Sequence, residues 1–241
     1  PKSMMLRGIF GGGGGGLTID EPENNIVRTA YYALASALAG TQTMALCCYD
    51  EAYTIPSERA ALIALRTMQI LQEEVGVCDT VDPLAGSYYV ESLTSELERR
   101  IVDEMAKVEA LGGIVRAIET GAIQRIVSRQ AYDEERRIRS GEIAKVGVNR
   151  YRTEEKASRE VLLHELDPRA RDEQVARLSE VKGRRDAGAV AKSLEKLRAE
   201  AAGDGNLMPH LMDCVRAYCT VGEMSGVFRE VFGEFQEPID F

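Results

Sequence analysis

Residues 41–76 have the sequence TQTMALCCYDEAYTIPSERAALIALRTMQILQEEVG. The first ten are mostly apolar, which is typical of a strand that is buried on both faces. Pro56 and Ser57 then indicate the start of a helix, and Gly76 indicates its end. This stretch therefore predicts one strand followed by one helix, the repeating unit of a parallel α/β fold.

The same order recurs on both sides of this unit. Residues 3–10, SMMLRGIF, predict a strand, and residues 21–40 predict a helix with Pro22 in its first turn. Residues 77–91 predict a third short strand with a Pro/Gly turn, and a long helix is expected to follow over about 90–111. Three such units are too few for a closed eight-stranded barrel, so they predict the last part of a barrel or a small open sheet.

The second half of the chain has a different pattern. Residues 121–142 predict a charged amphipathic helix, and KVGVNRY at 145–151 predicts one more short strand. The helices expected after that lie near 170–182, 187–201 and 208–232, with breaks at GDGN and at Gly222. The polar residues between these two regions resemble a linker. The predicted organisation is a barrel portion over 1–150, a linker over 151–169 and a helical segment over 170–241.

Composition excludes several classes of protein. The 241 residues are 44% hydrophobic and 29% charged, with a net charge of −9. This charge argues against nonspecific binding to nucleic acid or to an anionic membrane, and no apolar run is long enough to cross a membrane. No signal sequence opens the chain, and the absence of an initiator Met suggests a boundary inside a larger protein.

Five cysteines without metal-ligand spacing, beside only two histidines, predict reduced thiols in a cytoplasm and no metal site.

Six consecutive glycines occupy residues 11–16, just after the first predicted strand. They could form a phosphate cradle, serve as a flexible linker, or replace other side chains. The run lacks the spacing and the Lys–Ser/Thr of a phosphate-binding loop. A linker at this place would interrupt a strand–helix unit. The residues alone thus predict barrel units and a helical tail without identifying a reaction.

Several short motifs carry a resemblance to a known family. NNIVR, GTQ, DEA, QEE-G, VDP, GSYYVE and GVNRY occur in the order and spacing of the adenosylcobalamin-dependent acyl-CoA mutases, the methylmalonyl-CoA mutase family. The tail NLMPHLMDCVRAYCTVGEMSGVFREVFGEF is similar to the segment that links the family's barrel to its cobalamin-binding domain. The resemblance covers nearly the whole chain.

This resemblance implies a fold and a chemistry. In the family, coenzyme A threads a TIM-type (α/β)8 barrel, and a separate domain presents adenosylcobalamin for radical rearrangement of an acyl-CoA. The catalytic residues are then expected in earlier strands, before Pro1, and the partners expected are a cobalamin-binding small subunit, the remainder of the barrel and further copies in an oligomer. The isolated chain is expected to be inactive and to bind no adenosylcobalamin. The alternative is a non-catalytic assembly module that retains the fold.

The resemblance also implies roles for single residues. On the substrate and coenzyme A side these are Arg7, Gln42 and Thr43, and on the cofactor side Gly14, Glu51, Ala52 and Thr54. Without the family, the favoured interpretation of Gln42 and Glu51 is a buried polar residue that neighbouring backbone satisfies, whereas the resemblance favours the functional role.

Departures from the family pattern concern the substrate and the glycines. Ala45 and Cys47 replace a family histidine and asparagine, which favours another branched or longer acyl-CoA over methylmalonyl-CoA. Cys47 and Cys48 are expected to be small buried fillers of a strand. Residues 11–16 stand where the family has polar active-site side chains, so the run is interpreted as a substitution rather than a natural glycine loop.

Overall fold

The computed structural model describes residues 8–11, 13–153 and 163–238. Within these ranges the chain divides into two compact units, one extending to His164 and the other covering Glu165–Pro238. The first unit is mostly helical α/β structure, and the second is helical in the residues that the structure describes.

A strand–helix–strand–helix arrangement forms the first part of the chain. Strand β1 is Ile9–Phe10, helix α1 is Asn24–Leu38, strand β2 is Thr43–Met44, and helix α2 is Glu58–Glu73. The two strands pair in parallel, with Ile9 opposite Thr43 and Phe10 opposite Met44. The predicted parallel pairing and both predicted helices are therefore confirmed, although the strands are only two residues long.

Local sequence explains where α1 and α2 begin, end and pack. Gly40 ends α1 with a φ of +72°, a conformation that glycine adopts at low cost. The Ser57 hydroxyl accepts a hydrogen bond from the backbone N–H of Ala60 and caps the start of α2. Ala60 and Ala64, one turn apart, are buried with Cys48 against the segment that follows β2. Small side chains on this face let α2 lie close to that segment.

Three helices complete the first unit: α3 (Tyr88–Ala110), α4 (Gly113–Glu119) and α5 (Ala122–Arg139). The predicted strand over 77–91 is wrong, because residues 77–87 form turns and bends before α3. Asp82 has a φ of +48° and Gly86 a φ of +77°, values incompatible with an extended strand.

The predicted strand over 145–151 is also wrong. Residues 145–150 form a tight turn, closed by a single bridge between Val146 and Arg150. Its shape comes from the Asn149 side chain, which accepts from the backbone N–H of Lys145 and donates to the carbonyls of Ile138 and Ile143. Side-chain hydrogen bonds to nearby backbone of this kind compete with strand pairing.

The second unit contains α6 (Ala170–Arg184), α7 (Ala187–Ala201), α8 (Met208–Arg216) and α9 (Val221–Phe232). The predicted helices are confirmed, but the last break lies before Val221, and Gly222 is inside α9. The core of the unit joins α7, α8 and α9. Its buried members are Val190, Leu197, Cys214, Cys219 and Val227.

Candidate functional site

The segments that follow β1 and β2 carry most of the predicted site residues. In parallel strands such segments leave the same edge of the sheet, which is where α/β folds place their sites. They lie close together here, because a Cβ atom added to Gly11 would stand 1.6 Å from the carbonyl oxygen of Ala45. The backbone therefore admits only glycine at residue 11 unless the two segments move apart.

The other described glycines of the run have different surroundings. A Cβ atom at Gly16 would lie 2.1 Å from the Tyr32 hydroxyl oxygen, whereas Gly13, Gly14 and Gly15 have no heavy atom within 4 Å of such a position. Gly14, predicted to lie on the cofactor side, begins a short 3-10 helix over Gly14–Gly16. Other glycines of the run, but not Gly14, line an open cleft of about 480 Å³. The residues lining it are Gly11, Gly13, Gly15, Gly16, Tyr32, Ala35 and Ser36.

Glu51 lies in the turn that follows β2 and its side chain is exposed. Its Oε1 atom accepts a 2.7 Å hydrogen bond from the backbone N–H of Cys48. Burial raises the pKa of the Cys48 thiol to about 11, with a further contribution from the nearby Glu51 carboxylate, and the pKa of Cys47 is raised for the same two reasons. Both cysteines are therefore protonated thiols at neutral pH. Cys48 is buried as predicted, and Cys47 is half-buried.

Ala52 and Thr54, also predicted on the cofactor side, are both half-buried. The Thr54 hydroxyl oxygen accepts a 2.9 Å hydrogen bond from the backbone N–H of His164. Thr54 thus ties the turn after β2 to the last described residues of the first unit.

Gln42 and Thr43, predicted on the substrate side, are both exposed. The burial that was the alternative for Gln42 and Glu51 is therefore contradicted by the structure. Gln42 precedes β2 and Thr43 opens it, whereas Glu51 comes after the strand. The strand thus separates the two predicted groups along the chain. Arg7 lies outside the described residues.

Asp50 supports the same turn and was not predicted as a site residue. It is 3% exposed, and its Oδ2 atom accepts from both the backbone N–H and the hydroxyl of Ser57, at 3.0 Å and 2.8 Å. Its Oδ1 atom has no hydrogen-bond partner among the described residues. The carboxylate holds the turn against the start of α2.

A buried asparagine connects the segments after the two strands. Asn25, fully buried in the first turn of α1, accepts from the backbone N–H of Thr18 at 3.1 Å. Its Nδ2 atom donates to the carbonyl oxygens of Thr18 and Tyr49, both at 2.9 Å. Asn25 shares its buried helix face with Thr29 and Ala33, which lie one and two turns further on. An asparagine on the buried face of a helix is the sequence feature that could have indicated this role.

Arg28 extends this network to a third segment. Its Nη1 atom donates to the Thr18 hydroxyl and to Asn25 Oδ1, both at 2.8 Å, and its Nη2 atom donates to the carbonyl oxygen of Val146 at 2.7 Å. Val146 belongs to the turn at 145–150. Arg28 and Val146 lie in or next to the motifs NNIVR and GVNRY, but the sequence alone does not predict that they are in contact.

The described residues contain no group of three or more His, Cys, Asp or Glu side chains that could hold a metal ion. Within the same ranges, no helix combines the length and the apolar character that a membrane crossing requires.

Comparison with protein families shows which family this chain belongs to. The family model described as methylmalonyl-CoA mutase matches residues 1–234. The chain belongs to the methylmalonyl-CoA mutase family. The resemblance carried by the short motifs is thereby confirmed.

Individual relatives agree with this assignment. Methylmalonyl-CoA mutase of Cereibacter sphaeroides is 41% identical over 240 residues, covering 99% of this chain and 34% of the relative. The Escherichia coli protein of the same name is 36% identical, covering 99% and 33%. The 2-hydroxyisobutanoyl-CoA mutase large subunit of Aquincola tertiaricarbonis is 37% identical, covering 98% and 42%. The chain therefore spans between about a third and two fifths of the length of these relatives.

Proposed function

We propose that the chain is part of an adenosylcobalamin-dependent mutase that rearranges the carbon skeleton of an acyl-CoA by a radical mechanism. The observation that carries the proposal is the family match over residues 1–234. The parallel strand pair supports it, because the segments that leave the two strands, one carrying Gly14 and the other Glu51, approach each other at Gly11 and Ala45. In this proposal the described strands are the last units of a TIM-type barrel whose remainder lies in the rest of the protein.

The residues present fit contact with the face of a cobalamin rather than ligation of its cobalt. The corrin ring carries amide side chains, and the exposed carboxylate of Glu51 is an acceptor for such donors. Open space beside Gly14 allows a large flat group to approach the backbone. Bound adenosylcobalamin would supply the organic radical on which the rearrangement depends.

The chain's own residues would bind and orient the two ligands. Arg7 is assigned to the phosphates of coenzyme A, which suit the forked guanidinium. Gln42 and Thr43 offer neutral hydrogen-bonding groups to the acyl-CoA. The half-buried Ala52 and Thr54 would contact the cofactor through backbone and keep water from the turn after β2.

The proposed acyl group is not methylmalonyl itself but another branched acyl group or a longer one. Ala45 and Cys47 offer no charged side chain, and the pKa of Cys47 is raised by burial and by Glu51, so its thiol is neutral. A carboxylate-bearing acyl group would find no cation on these two residues. The names of the relatives include two different acyl groups, so the family permits such variation.

The proposed partners are the acyl-CoA, a separate cobalamin-binding small subunit, the remainder of the barrel and further copies in an oligomer. The relative from Aquincola tertiaricarbonis is named as a large subunit, which supports a divided enzyme. A reducing cytoplasm is the proposed location. All five cysteines lie in the described ranges, and no disulfide joins any of them.

A panel of acyl-CoA thioesters tests the proposal on the complete mutase that contains this segment. The expected result is isomerisation of at least one thioester that requires adenosylcobalamin and that fails with hydroxocobalamin, which lacks the adenosyl group. Absence of turnover with every thioester would contradict the proposal. It would favour the second candidate, a non-catalytic assembly module, for which the specific observation is the lack of polar side chains at residues 11–16.

A further inference from the structure

The Asn25 amide uses its full hydrogen-bonding capacity inside the protein. Its oxygen accepts from the Thr18 backbone N–H and from Arg28 Nη1, and its nitrogen donates to the carbonyls of Thr18 and Tyr49. An amide oxygen has two lone pairs and an amide nitrogen two hydrogens, so no capacity is left for a ligand. Asn25 is also fully buried. It is therefore placed to hold backbone rather than to bind substrate.

The backbone that it holds belongs to two separate segments. Thr18 follows the glycine run, and Tyr49 immediately precedes Asp50 and Glu51 in the turn after β2. A contact from the Tyr53 hydroxyl to the Ile19 carbonyl joins the same two segments a second time.

Arg28 adds the turn at 145–150 to this assembly. Its guanidinium spans the Thr18 hydroxyl, Asn25 Oδ1 and the Val146 carbonyl, three acceptors from three parts of the chain. Lysine cannot reproduce this fork, because its ammonium is a single point at the end of a flexible stem.

We propose that Asn25 and Arg28 are positioning residues that hold the segments bearing Gly14 and Glu51 in register with each other. They act through Thr18, Tyr49 and Val146 and touch neither ligand. This inference rests on the proposed function for its consequence in catalysis, whereas the positioning itself is a property of this chain. Leaving a buried donor or acceptor without its hydrogen-bond partner costs free energy. The two segments are therefore held in one register with respect to each other.

The sharpest variant is Asn25→Asp, which keeps size and shape. It replaces the donating nitrogen by an oxygen that faces the carbonyls of Thr18 and Tyr49, each 2.9 Å away. Asn206→Asp is the matched control. Asn206 is exposed, and its one described hydrogen bond is accepted by Oδ1 from the Met208 N–H, which aspartate preserves.

Hydrogen exchange on the 241-residue chain provides the first measurement. Asn25→Asp is expected to raise exchange of amides in 17–20 and 47–51 by about tenfold, as the loss of two buried hydrogen bonds implies. Amides of α7 and α9 should not change, and Asn206→Asp should leave 17–20 and 47–51 unaffected. Unchanged exchange at both segments, or an equal rise through α3 and α5, would overturn the proposal.

Arg28→Lys separates the third contact from the first two. It is expected to speed exchange at 146–150 more than at 47–51. Arg28 donates to the Val146 carbonyl, whereas the Tyr49 carbonyl accepts from Asn25 and not from Arg28. Arg152→Lys, an exposed arginine in the same part of the chain, is the control and should change neither segment. Equal effects of the two lysine variants would count against the role of Arg28.

Ligand binding to the complete mutase provides a readout that a purely structural role would not move. Asn25→Asp should weaken adenosylcobalamin binding by about tenfold, while the KM for the acyl-CoA stays within about twofold of wild type. Equal weakening of both ligands would overturn the positioning role. An inactive wild-type enzyme would contradict the proposed function instead, and the exchange measurement would still judge the positioning.

Discussion

Arg185 donates from Nη1 to Glu223 Oε2 at 2.8 Å, and a second bond joins Nη2 to Oε1. This bidentate pair connects the residue after α6 with the first turn of α9, and Arg185 Nη1 also donates to the carbonyl of Tyr218. Tyr218 has a φ of +61°, which is strained for a residue with a side chain. The pair therefore holds an unfavourable turn between α8 and α9.

The Arg185–Glu223 pair predicts acid sensitivity of the second unit. The hydrogen bonds from Arg185 lower the pKa of Glu223 from its ordinary 4.5 to about 2, although partial burial opposes the shift. The unfolded chain then binds this proton more readily than the folded one, so the stabilisation is present above about pH 4.5 and is lost as the pH falls toward 2. Urea titration followed by methyl resonances of Leu197 and Val227 should show a smaller loss of stability over this window in Glu223→Gln. Glu237→Gln, an exposed glutamate with no ion pair among the described residues, should behave as wild type.

Thr220 is predicted to stabilise the start of α9 through its hydroxyl. That oxygen accepts from the Glu223 N–H, while Glu223 reaches back to the Thr220 N–H, which completes a capping box. Thr220→Ala should lower the free energy of unfolding of the second unit by roughly 0.5–2 kcal/mol. Thr220→Ser retains the hydroxyl and should recover most of it, as measured by the same urea titration. Equal losses in the two variants would exclude the cap as the cause.

Gly11 and Gly14 are predicted to respond oppositely to alanine. A Cβ at Gly11 would meet the Ala45 carbonyl at 1.6 Å, so Gly11→Ala should disrupt the pairing of β1 and β2. Gly14→Ala meets open space and restricts the unfolded chain, so it should be neutral or stabilise by about 0.4–1 kcal/mol. Exchange of the Ala45 amide, which donates to Phe10 at 2.9 Å, reports on the first variant. A tolerated Gly11→Ala would mean that the two segments can separate.

Arg7 and Glu51 are predicted to divide the two ligands in the complete mutase. Arg7→Ala should raise the KM for the acyl-CoA by about tenfold or more, since a charge-assisted hydrogen bond to phosphate is lost, and should leave cofactor affinity nearly unchanged. Glu51→Ala should instead weaken adenosylcobalamin binding. Steady-state kinetics with cofactor titration measures both quantities. Equal effects on both ligands would contradict this division.

Elements with local signals could be predicted from the sequence. Ser57 and Gly40 mark helix boundaries through hydrogen bonds and backbone angles that involve only their neighbours, so α1 and α2 were correctly anticipated. Helix α4 was not, because it is seven residues long and begins after Gly112, whose φ is +95°. The apolar residues of 77–91 favoured a strand. In the structure Asp82 and Gly86 have positive φ angles, and the chain forms turns there instead.

Long-range contacts explain most of what the sequence did not predict at the site. The resemblance that named Glu51 rests on local motifs, whereas its exposure is seen only in the structure. The bond from the His164 N–H to Thr54 spans 110 residues, and that from Arg28 to Val146 spans 118. Neither the periodicity of the sequence nor the type of a residue predicts contacts over such distances along the chain. Only the folded chain brings Asn25 and Arg28 together with these partners.

The saturated amide of Asn25 has a consequence for the chemical ageing of the protein. Deamidation would convert Asn25 into aspartate, the same change as in the Asn25→Asp variant. A carboxylate oxygen would then face the carbonyl oxygens of Thr18 and Tyr49. The reaction requires the following backbone nitrogen to attack the side-chain amide, but the Ile26 N–H is engaged with the Glu23 carbonyl and the amide is fixed by its four bonds. The same contacts that make Asn25 hard to replace thus protect it from spontaneous hydrolysis over the lifetime of the molecule.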